Sequence, residues 1–329
     1  MHILQRTTTV AAVMLAAMFL GACSSPGPAS GSAQDAAPVD RSNWPKGRPA
    51  SGLAKGLELP LEAYMVSYAD QVTVDTALRS LQTRCMADYG FEVDLPRPGT
   101  NPPLSDNSAN IERRYGITDR TQAKKYGYFL PPEQQGSTED TALDLPPVQV
   151  EVLTGHTKPE PVAAPEDGGG SYFGAAEKTE PARAEHDGKK LHSGGCTGWA
   201  KGQLKLNEAD AGIVTQLDSK SLSESRPSKP VEKAITAWSA CMKDKGRSAA
   251  DPYRAMEQGL SEGDGSVTTK NAIEIALDDI DCKKQTRLIQ VWFTKESVVQ
   301  KRLIEENKDQ LGAVKKHLSQ VLEAAEAVK

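Results

Sequence analysis

Four cysteines downstream of the N-terminal segment limit the folds open to this chain: Cys85, Cys196, Cys241 and Cys282. No two of them are close enough in sequence to form the Cys-x-x-Cys pairs of a structural zinc site, so the spacing does not support a metal. An even number of cysteines in an exported chain instead predicts two disulfides, which leaves three connectivities open. Each Cys-Met dipeptide is followed by one further cysteine, and this order favours the pairs Cys85–Cys196 and Cys241–Cys282.

The N-terminal residues predict export. The apolar run from Val10 to Leu20 is too short to span a bilayer and is typical of a signal peptide. Leu20-Gly21-Ala22-Cys23 resembles a bacterial lipobox, in which the cysteine becomes the first residue after cleavage. By this resemblance Cys23 carries a diacylglyceryl group with palmitate-type chains, which holds the protein on the outer face of the cytoplasmic membrane. An ordinary cleaved secretory signal is the alternative.

The composition bears on both attachment and stability. Acidic residues number 44 and basic residues 39, and the formal net charge of −5 does not favour nucleic acid or an anionic membrane surface as a partner. The lipid would therefore supply the attachment. Only 5% of the residues are aromatic, so disulfides that contribute about 3 to 5 kcal/mol each would matter for stability. Trp199 and Trp238, each three positions from a cysteine, are expected to pack against these disulfides.

The chain is predicted to alternate helical units with polar connections. Residues 1–22 form the signal peptide, and residues 23–56 are rich in Ser, Pro, Gly and Ala, which predicts a flexible tether. A first helical Cys-Met unit covers 57–128, and a second helical unit covers 191–329. Residues 129–190 between them carry many Glu, Lys and Pro and predict a mostly disordered linker, with "VQVEVL" as a candidate short strand.

Two helices with the same local pattern carry the Cys-Met dipeptides, in "CMADYG" and "CMKDKG". In both, the cysteine lies on an apolar face of helical period, and Gly90 or Gly246 supplies a left-handed C-terminal cap. The Asp of each motif is expected to be exposed. The residues expected on the apolar faces are Val74, Ala77, Leu78, Leu81 and Cys85 in the first helix and Val231, Ala234, Ile235, Trp238, Cys241, Met242 and Lys245 in the second.

Helical periodicity extends from Cys196 to the end of the chain, and the sequence therefore predicts an all-α, disulfide-stapled fold. From Leu288 to Ala325 an apolar stripe predicts one long helix or two abutting ones. A stripe of this length must pack on the preceding helices or on a partner. Its apolar members are Leu288, Val291, Trp292, Val298, Val299, Leu303, Leu311, Val314, Leu318, Val321 and Ala325.

The segment "ERRYGITDRTQAKKYGY" is expected to be ordered. Thr118 or Asp119 can cap a short helix that ends at Gly127. The tyrosines around this helix are expected to pack with their hydroxyls at the edge of the protein, and a ligand platform is the alternative. They are Tyr115, Tyr126 and Tyr128.

One motif is a candidate for catalysis. "GLSEG", residues 259–263, matches the Gly-x-Ser-x-Gly nucleophile elbow and places Ser261 before Asp278 or Asp279 and His317. The elbow works only at a strained strand-to-helix turn, whereas a helix is predicted before this serine. No His-Glu-x-x-His or phosphate-loop motif occurs. We therefore expect no enzyme, no catalytic residue and no cofactor.

An acidic group is a candidate for cation binding. The favoured interpretation is a solvated helix face, in which Asp279 pairs with Lys283 one helical turn later. We therefore expect no metal here. The group comprises Glu274, Asp278, Asp279 and Asp281.

A resemblance to a known family is carried by "AWSACMKDKG", "DPYRAM", "DDIDCKKQTRLIQVWFTKES" and "ERRYGITDRTQAKKYGY". These segments resemble a family of lipid-anchored secreted proteins from Streptomyces and related actinobacteria. The likeness covers about Leu57 to Leu322 and is strongest from Trp238 to Ser297. The resemblance implies a location outside the cell and supports the arrangement of the cysteines. It contributes no catalytic residue.

The expected function is that of an interaction or scaffold module for a protein complex of the cell envelope, a transporter-associated accessory protein being one example. The C-terminal helix or the central region would make the contact. A substrate-binding lipoprotein that delivers a small molecule to a permease is the first alternative, but that class normally needs two α/β lobes. A hydrolase of envelope polymers is the second. The sequence leaves the oligomeric state open.

Overall fold

A computed structural model describes residues 38–45, 47–100, 102, 111–131, 144–158, 160–161, 177–206, 209–262 and 268–328. The predicted signal peptide, Cys23 and residues 24–37 of the predicted tether lie outside the described residues, as do residues 132–143 and 162–176 of the predicted linker.

Helices form nearly all of the regular structure, which confirms the predicted all-α class. Two short antiparallel strand pairs, β1 (Glu160–Pro161) with β2 (Glu177–Lys178) and β3 (Glu185–His186) with β4 (Lys189–Lys190), are the only paired strands among the described residues. A 3₁₀ helix covers Pro60–Tyr64. The α-helices of the described residues are α1 (Tyr68–Asp88), α2 (Ile111–Arg114), α3 (Arg120–Tyr126), α4 (Pro147–Thr154), α5 (Gly195–Gln203), α6 (Ala209–Ser225), α7 (Lys229–Asp244), α8 (Pro252–Ser261), α9 (Lys270–Thr286), α10 (Leu288–Glu306) and α11 (Lys308–Glu326).

Two disulfides cross-link these helices. Cys85 on α1 is joined to Cys196 on α5, and Cys241 on α7 is joined to Cys282 on α9, with Cα–Cα distances of 5.6 and 5.7 Å. This is the connectivity that the order of the cysteines favoured. All four cysteines are buried, as expected for residues on the apolar faces of their helices.

Both tryptophans near the cysteines pack as predicted. Trp238 is fully buried in the same core as the Cys241–Cys282 pair. Trp199 is half-buried beside the other disulfide and stacks on His192, with 5.7 Å between the ring centroids.

The ends of the helices follow from capping residues. Asp119 accepts hydrogen bonds from the backbone N–H groups of Thr121 and Gln122 and so begins α3, which ends at Gly127 as predicted. Gly90 and Gly246 follow the two Cys-Met helices with φ of +82° and +76°, in the left-handed region that glycine adopts without strain. The Asp of each Cys-Met motif is exposed, also as predicted.

The prediction of a strand at "VQVEVL" is wrong, because these residues form α4. Pro147 provides the first helical residue, and Gly155 ends the helix in a left-handed conformation with φ of +76°. One face of α4 buries Val152 and Leu153 against the Cys85–Cys196 disulfide. This tertiary contact outweighs the strand preference of the alternating valines.

The C-terminal apolar stripe forms two abutting helices, α10 and α11, which meet at Asn307. The Asn307 side chain donates to the Leu303 carbonyl oxygen at 2.7 Å and so satisfies an end of α10. Most of the stripe is buried or half-buried, but the prediction for Val298 is wrong, since 59% of its surface is exposed. Glu296 and Gln300 are fully buried on the inner face of α10 instead.

The two predicted helical units share their cores. The largest hydrophobic core is built by α7 to α10 together with residues 111–128, which were assigned to the first unit. In turn, α1 packs on α5 of the second unit and on α11 at the C-terminus. Among the described residues, no helix is both long enough and apolar enough to cross a membrane.

Candidate functional site

Arg114, the last residue of α2, is the centre of a buried polar cluster that sequence analysis did not predict. Its Nη1 donates to Asp218 Oδ2 on α6 at 2.8 Å, and its Nε donates to Glu296 Oε1 on α10 at 2.9 Å. The Tyr115 hydroxyl donates to Glu296 Oε2 at 2.7 Å, and the Ser221 hydroxyl lies 2.7 Å from Glu296 Oε1. The cluster therefore ties residues 111–115 to both α6 and α10. Gln300 Nε2 donates to Asp218 Oδ1 at 3.2 Å and to Ser221 Oγ at 3.0 Å. We call this group the Arg114 cluster; it consists of Arg114, Tyr115, Asp218, Ser221, Glu296 and Gln300.

Burial controls the electrostatics of the Arg114 cluster. Desolvation raises the pKa of Asp218, although the charge of Arg114 offsets part of this rise. For Arg114, desolvation disfavours the charged form, but the hydrogen bonds and charges of Glu296 and Asp218 raise its pKa above the ordinary value. Desolvation and Glu296 raise the pKa of Tyr115, so that its hydroxyl keeps its proton and acts as a donor. The groups of the Arg114 cluster therefore provide one another with hydrogen-bond partners and counter-charges.

Asp279 and Lys283 on α9 form a second buried polar cluster. Lys283 Nζ lies 2.9 Å from Asp279 Oδ2 and donates to the Ile117 carbonyl oxygen at 2.9 Å, and both side chains are fully buried. The Tyr128 hydroxyl and the Trp238 indole donate to the Asp279 carboxylate at 3.0 and 2.9 Å. Desolvation raises the pKa of Asp279 and lowers the pKa of Lys283.

The structure of this second cluster, which we call the Asp279 cluster (Asp279, Lys283, Tyr128 and Trp238), differs from two predictions. The pairing of Asp279 with Lys283 is confirmed, but Asp279 lies in the core and not on a solvated helix face, because Tyr128 and Trp238 supply the donors that make its burial tolerable. The tyrosine prediction is wrong for Tyr115 and Tyr128, whose hydroxyls point inward to buried carboxylates.

A half-enclosed groove is the candidate binding site. Its volume is about 500 Å³, and it lies between α1, α6 and α11, with the 3₁₀ helix at one end. Two hydrophobic clusters meet at this groove, one containing Val74 and Val321 and the other containing Val214 and Val314. Leu318 lies on α11 between the two clusters, and among the described residues it belongs to neither. The apolar stripe of α11 thus changes its packing partner here and leaves part of its face uncovered.

The walls of the groove are helix faces. On each wall, four residues follow the spacing i, i+3, i+4 and i+7, which places them on one side of a helix. Val214 of α6 also lines the groove. The wall residues are Gln71, Val74, Asp75 and Leu78 of α1 and Val314, His317, Leu318 and Val321 of α11.

The polar groups of the groove have different partners. Asp75 is half-buried and accepts a hydrogen bond from Gln71 Nε2 at 2.9 Å. His317 Nε2 lies 2.7 Å from the Lys205 carbonyl oxygen, and since a carbonyl only accepts, this nitrogen carries the hydrogen. Desolvation raises the pKa of Asp75. This groove could not be predicted from local sequence patterns, because the helices that form it are far apart in the chain.

The structure does not bring the elbow residues together. Ser261 is the last residue of α8, and its hydroxyl donates to the Gln258 carbonyl oxygen at 2.8 Å. Asp278 pairs with Lys245 and Arg247, and His317 belongs to the groove. Gly263 of the motif lies outside the described residues. Because a helix precedes Ser261, the geometry of a nucleophile elbow is not present.

The candidates for metal binding and for lipidation remain. Within the described ranges, no set of three or more His, Cys, Asp or Glu residues could hold a metal ion. The acidic residues of α9 are engaged with basic side chains: Asp278 as above, Asp281 with Arg120, and Glu274 with Arg247. Cys23, the predicted lipidation site, lies outside the described residues.

No protein-family model, no curated protein and no solved structure matches this chain. The resemblance to actinobacterial lipoproteins therefore stays a prediction, and the function must be argued from the groove and the cross-linked fold.

Proposed function

We propose that this protein is an extracytoplasmic, lipid-anchored interaction module of the cell envelope, and that the groove between α1, α6 and α11 is its contact site. The observation that carries the proposal is the uncovered apolar face of α11 at Leu318. Apolar helix faces of this kind are commonly completed by a partner.

The two disulfides support the proposed address. Such cross-links persist in oxidising compartments and are rare in the cytosol. An acyl anchor at Cys23 would place the module at the membrane, and the polar residues that follow Cys23 would let it reach a neighbouring protein.

The experiment compares two variants of α11 in intact cells of the native host. Leu318→Asp places a charge in the groove, whereas Ala313→Asp places the same charge on an exposed position of the same helix. After chemical crosslinking of the envelope and mass spectrometry, we expect a partner that is captured by the wild type and by Ala313→Asp but lost with Leu318→Asp. Equal capture by both variants would refute the groove as the contact site.

A second candidate function is the binding of a small molecule for delivery to a permease. The groove volume of about 500 Å³ favours it, since ligand pockets commonly occupy about 300 to 1,000 Å³. Native mass spectrometry of the purified protein tests this candidate. A bound compound that is lost with Leu318→Asp would support it, and a spectrum of the free protein alone, purified from the native host, would speak against it.

A further inference from the structure

The groove also specifies the chemistry of its partner, an inference that rests on the proposed function. We infer that the groove binds an amphipathic helix of another protein, which inserts apolar residues between α1 and α11 and pairs a Lys or Arg side chain with Asp75.

The shape of the groove matches a helix of about two turns. Along α1, the wall extends from Gln71 to Leu78, which is seven residues or about 10 Å at the rise of an α-helix. Along α11, the facing wall extends over the same number of residues, from Val314 to Val321. A helix that binds in such a groove uses anchors at i, i+3, i+4 and i+7. Two walls of this length accommodate that set of anchors.

Asp75 favours a basic group on the partner; Lys201 of α5 also lines the groove. Asp75 is half-buried beside Val74 and Leu78, and Gln71, a neutral residue, provides its hydrogen bond. Among the described residues, no ion pair joins a basic side chain to Asp75, and its pKa is raised by desolvation with no positive charge to offset the rise. A carboxylate that is partly removed from water gains from a nearby cation. A Lys or Arg at the edge of the apolar face of a bound helix would supply this cation.

The open side of the groove favours a helix over a small molecule. Small ligands are usually buried over most of their surface, whereas this groove is only half-enclosed. A helix can leave its polar face in solvent at the open side while its apolar face covers Leu318. The apolar lining of the groove therefore matches the apolar face of an amphipathic helix, and the open side of the groove leaves the polar face of that helix in solvent.

Fluorescence anisotropy with designed peptides tests the inference on the purified, oxidised protein. The probe is a labelled helical peptide with four leucines at i, i+3, i+4 and i+7 and one Lys beside them. A second peptide replaces this Lys by Glu, and a third places a Pro in the middle of the helix. We expect the Lys peptide to bind about five-fold more tightly than the Glu peptide, and the Pro peptide to lose binding.

Variants of α1 make the test specific. Asp75→Lys should reverse the preference, so that the Glu peptide binds more tightly, while Asp88→Asn, an exposed charge change on the same helix, should leave the preference unchanged. An affinity that changes neither with the charge of the peptide nor with the residue at position 75 would overturn the inference. Equal binding of the Pro peptide would overturn it as well. The proposed function is judged separately by the crosslinking of Leu318→Asp in cells, and it would survive either result.

Discussion

The Tyr115 hydroxyl donates a hydrogen bond to Glu296 Oε2 at 2.7 Å, although 181 positions separate the two residues. Glu296 also accepts a hydrogen bond from Arg114 Nε. One buried carboxylate on α10 therefore holds the loop between α2 and α3. Buried charges of this kind are costly unless each one is paired. The Arg114 cluster therefore fixes the relative positions of α6 and α10, and α6 in turn contributes residues to the lining of the groove.

Removal of Glu296 should destabilise the protein strongly. Glu296→Ala leaves the Arg114 guanidinium without its main partner in the core, and we expect a loss of about 3 to 5 kcal/mol in the free energy of unfolding. Urea unfolding followed by circular dichroism measures the change. Glu305→Ala, an exposed position near the end of the same helix, is the control and should leave the midpoint unchanged. A midpoint for Glu296→Ala equal to that of the control would contradict the role given to the cluster.

The Asp279–Lys283 pair should behave as a unit. Lys283→Met leaves a fully buried carboxylate without its counter-ion and should lower the free energy of unfolding by about 3 to 5 kcal/mol. Adding Asp279→Asn removes the unpaired charge and keeps an oxygen that can accept from Trp238. The double variant should therefore be more stable than Lys283→Met alone, as measured by urea unfolding. Simple addition of two destabilising effects would show that the ion pair is not coupled.

Each disulfide should contribute according to the length of the loop that it closes. The sequence separations are 111 for Cys85–Cys196 and 41 for Cys241–Cys282. By loop entropy, replacing a pair with serines should cost about 5 kcal/mol for the first and about 4 kcal/mol for the second. Thermal unfolding of the two double-serine variants measures these losses. A protein that keeps its melting temperature without either disulfide would rule out a stabilising role for the cross-links.

Two buried tyrosines, Tyr115 and Tyr128, and the half-buried Tyr253 should make the fold sensitive to alkali. Burial raises the pKa of Tyr253 to about 12 and raises those of Tyr115 and Tyr128 as well. Since the unfolded chain loses these protons near pH 10, the stability that they contribute is lost as the pH rises from about 10 towards 12. Burial lowers the pKa of Lys283, so its contribution makes the stability rise with pH, but only below its ordinary pKa of about 10.5.

Ultraviolet absorbance of tyrosinate during a pH titration measures this effect. We expect some of the eight tyrosines to ionise near pH 10 and the buried ones only together with unfolding. Tyr115→Phe should reduce the late step by one tyrosine. Ionisation of all tyrosines in a single step near pH 10 while the protein is still folded would show that these hydroxyls are accessible.

The anchor is tested by Cys23→Ala. We expect this variant to lose incorporation of a labelled fatty acid and to leave the membrane fraction, because a diacylglyceryl group would be the attachment. Membrane fractionation of cells that express each form provides the comparison. Equal release of the wild type and of Cys23→Ala into the medium would count against the lipid anchor.

The helices and their ends could be predicted because the signals are local. The apolar period before Cys85 and Cys241, the glycines at positions 90 and 246, and the capping residue Asp119 all act within one or two helical turns. The order of the cysteines was also sufficient to favour the connectivity that the structure has.

The polar interior could not be predicted, because its partners are far apart in sequence. Glu296 and Gln300 continue the stripe that begins at Trp292, one helical turn apart each time, and this spacing was an available signal for burial. Their partners, however, come from α2 and α6, and no local pattern connects those helices to α10. The groove was missed for the same reason, since its walls come from α1 and α11.

Site-specific photo-crosslinking in intact membranes tests the central claim most directly. A photoreactive residue at position 78 or 318 lies in the groove, whereas one at position 233 lies on the exposed face of α7. We predict that both groove positions give an adduct with one and the same envelope protein, through a helical segment that carries a basic residue, and that position 233 does not. Adducts from position 233 alone, or the same adducts from all three positions, would contradict it.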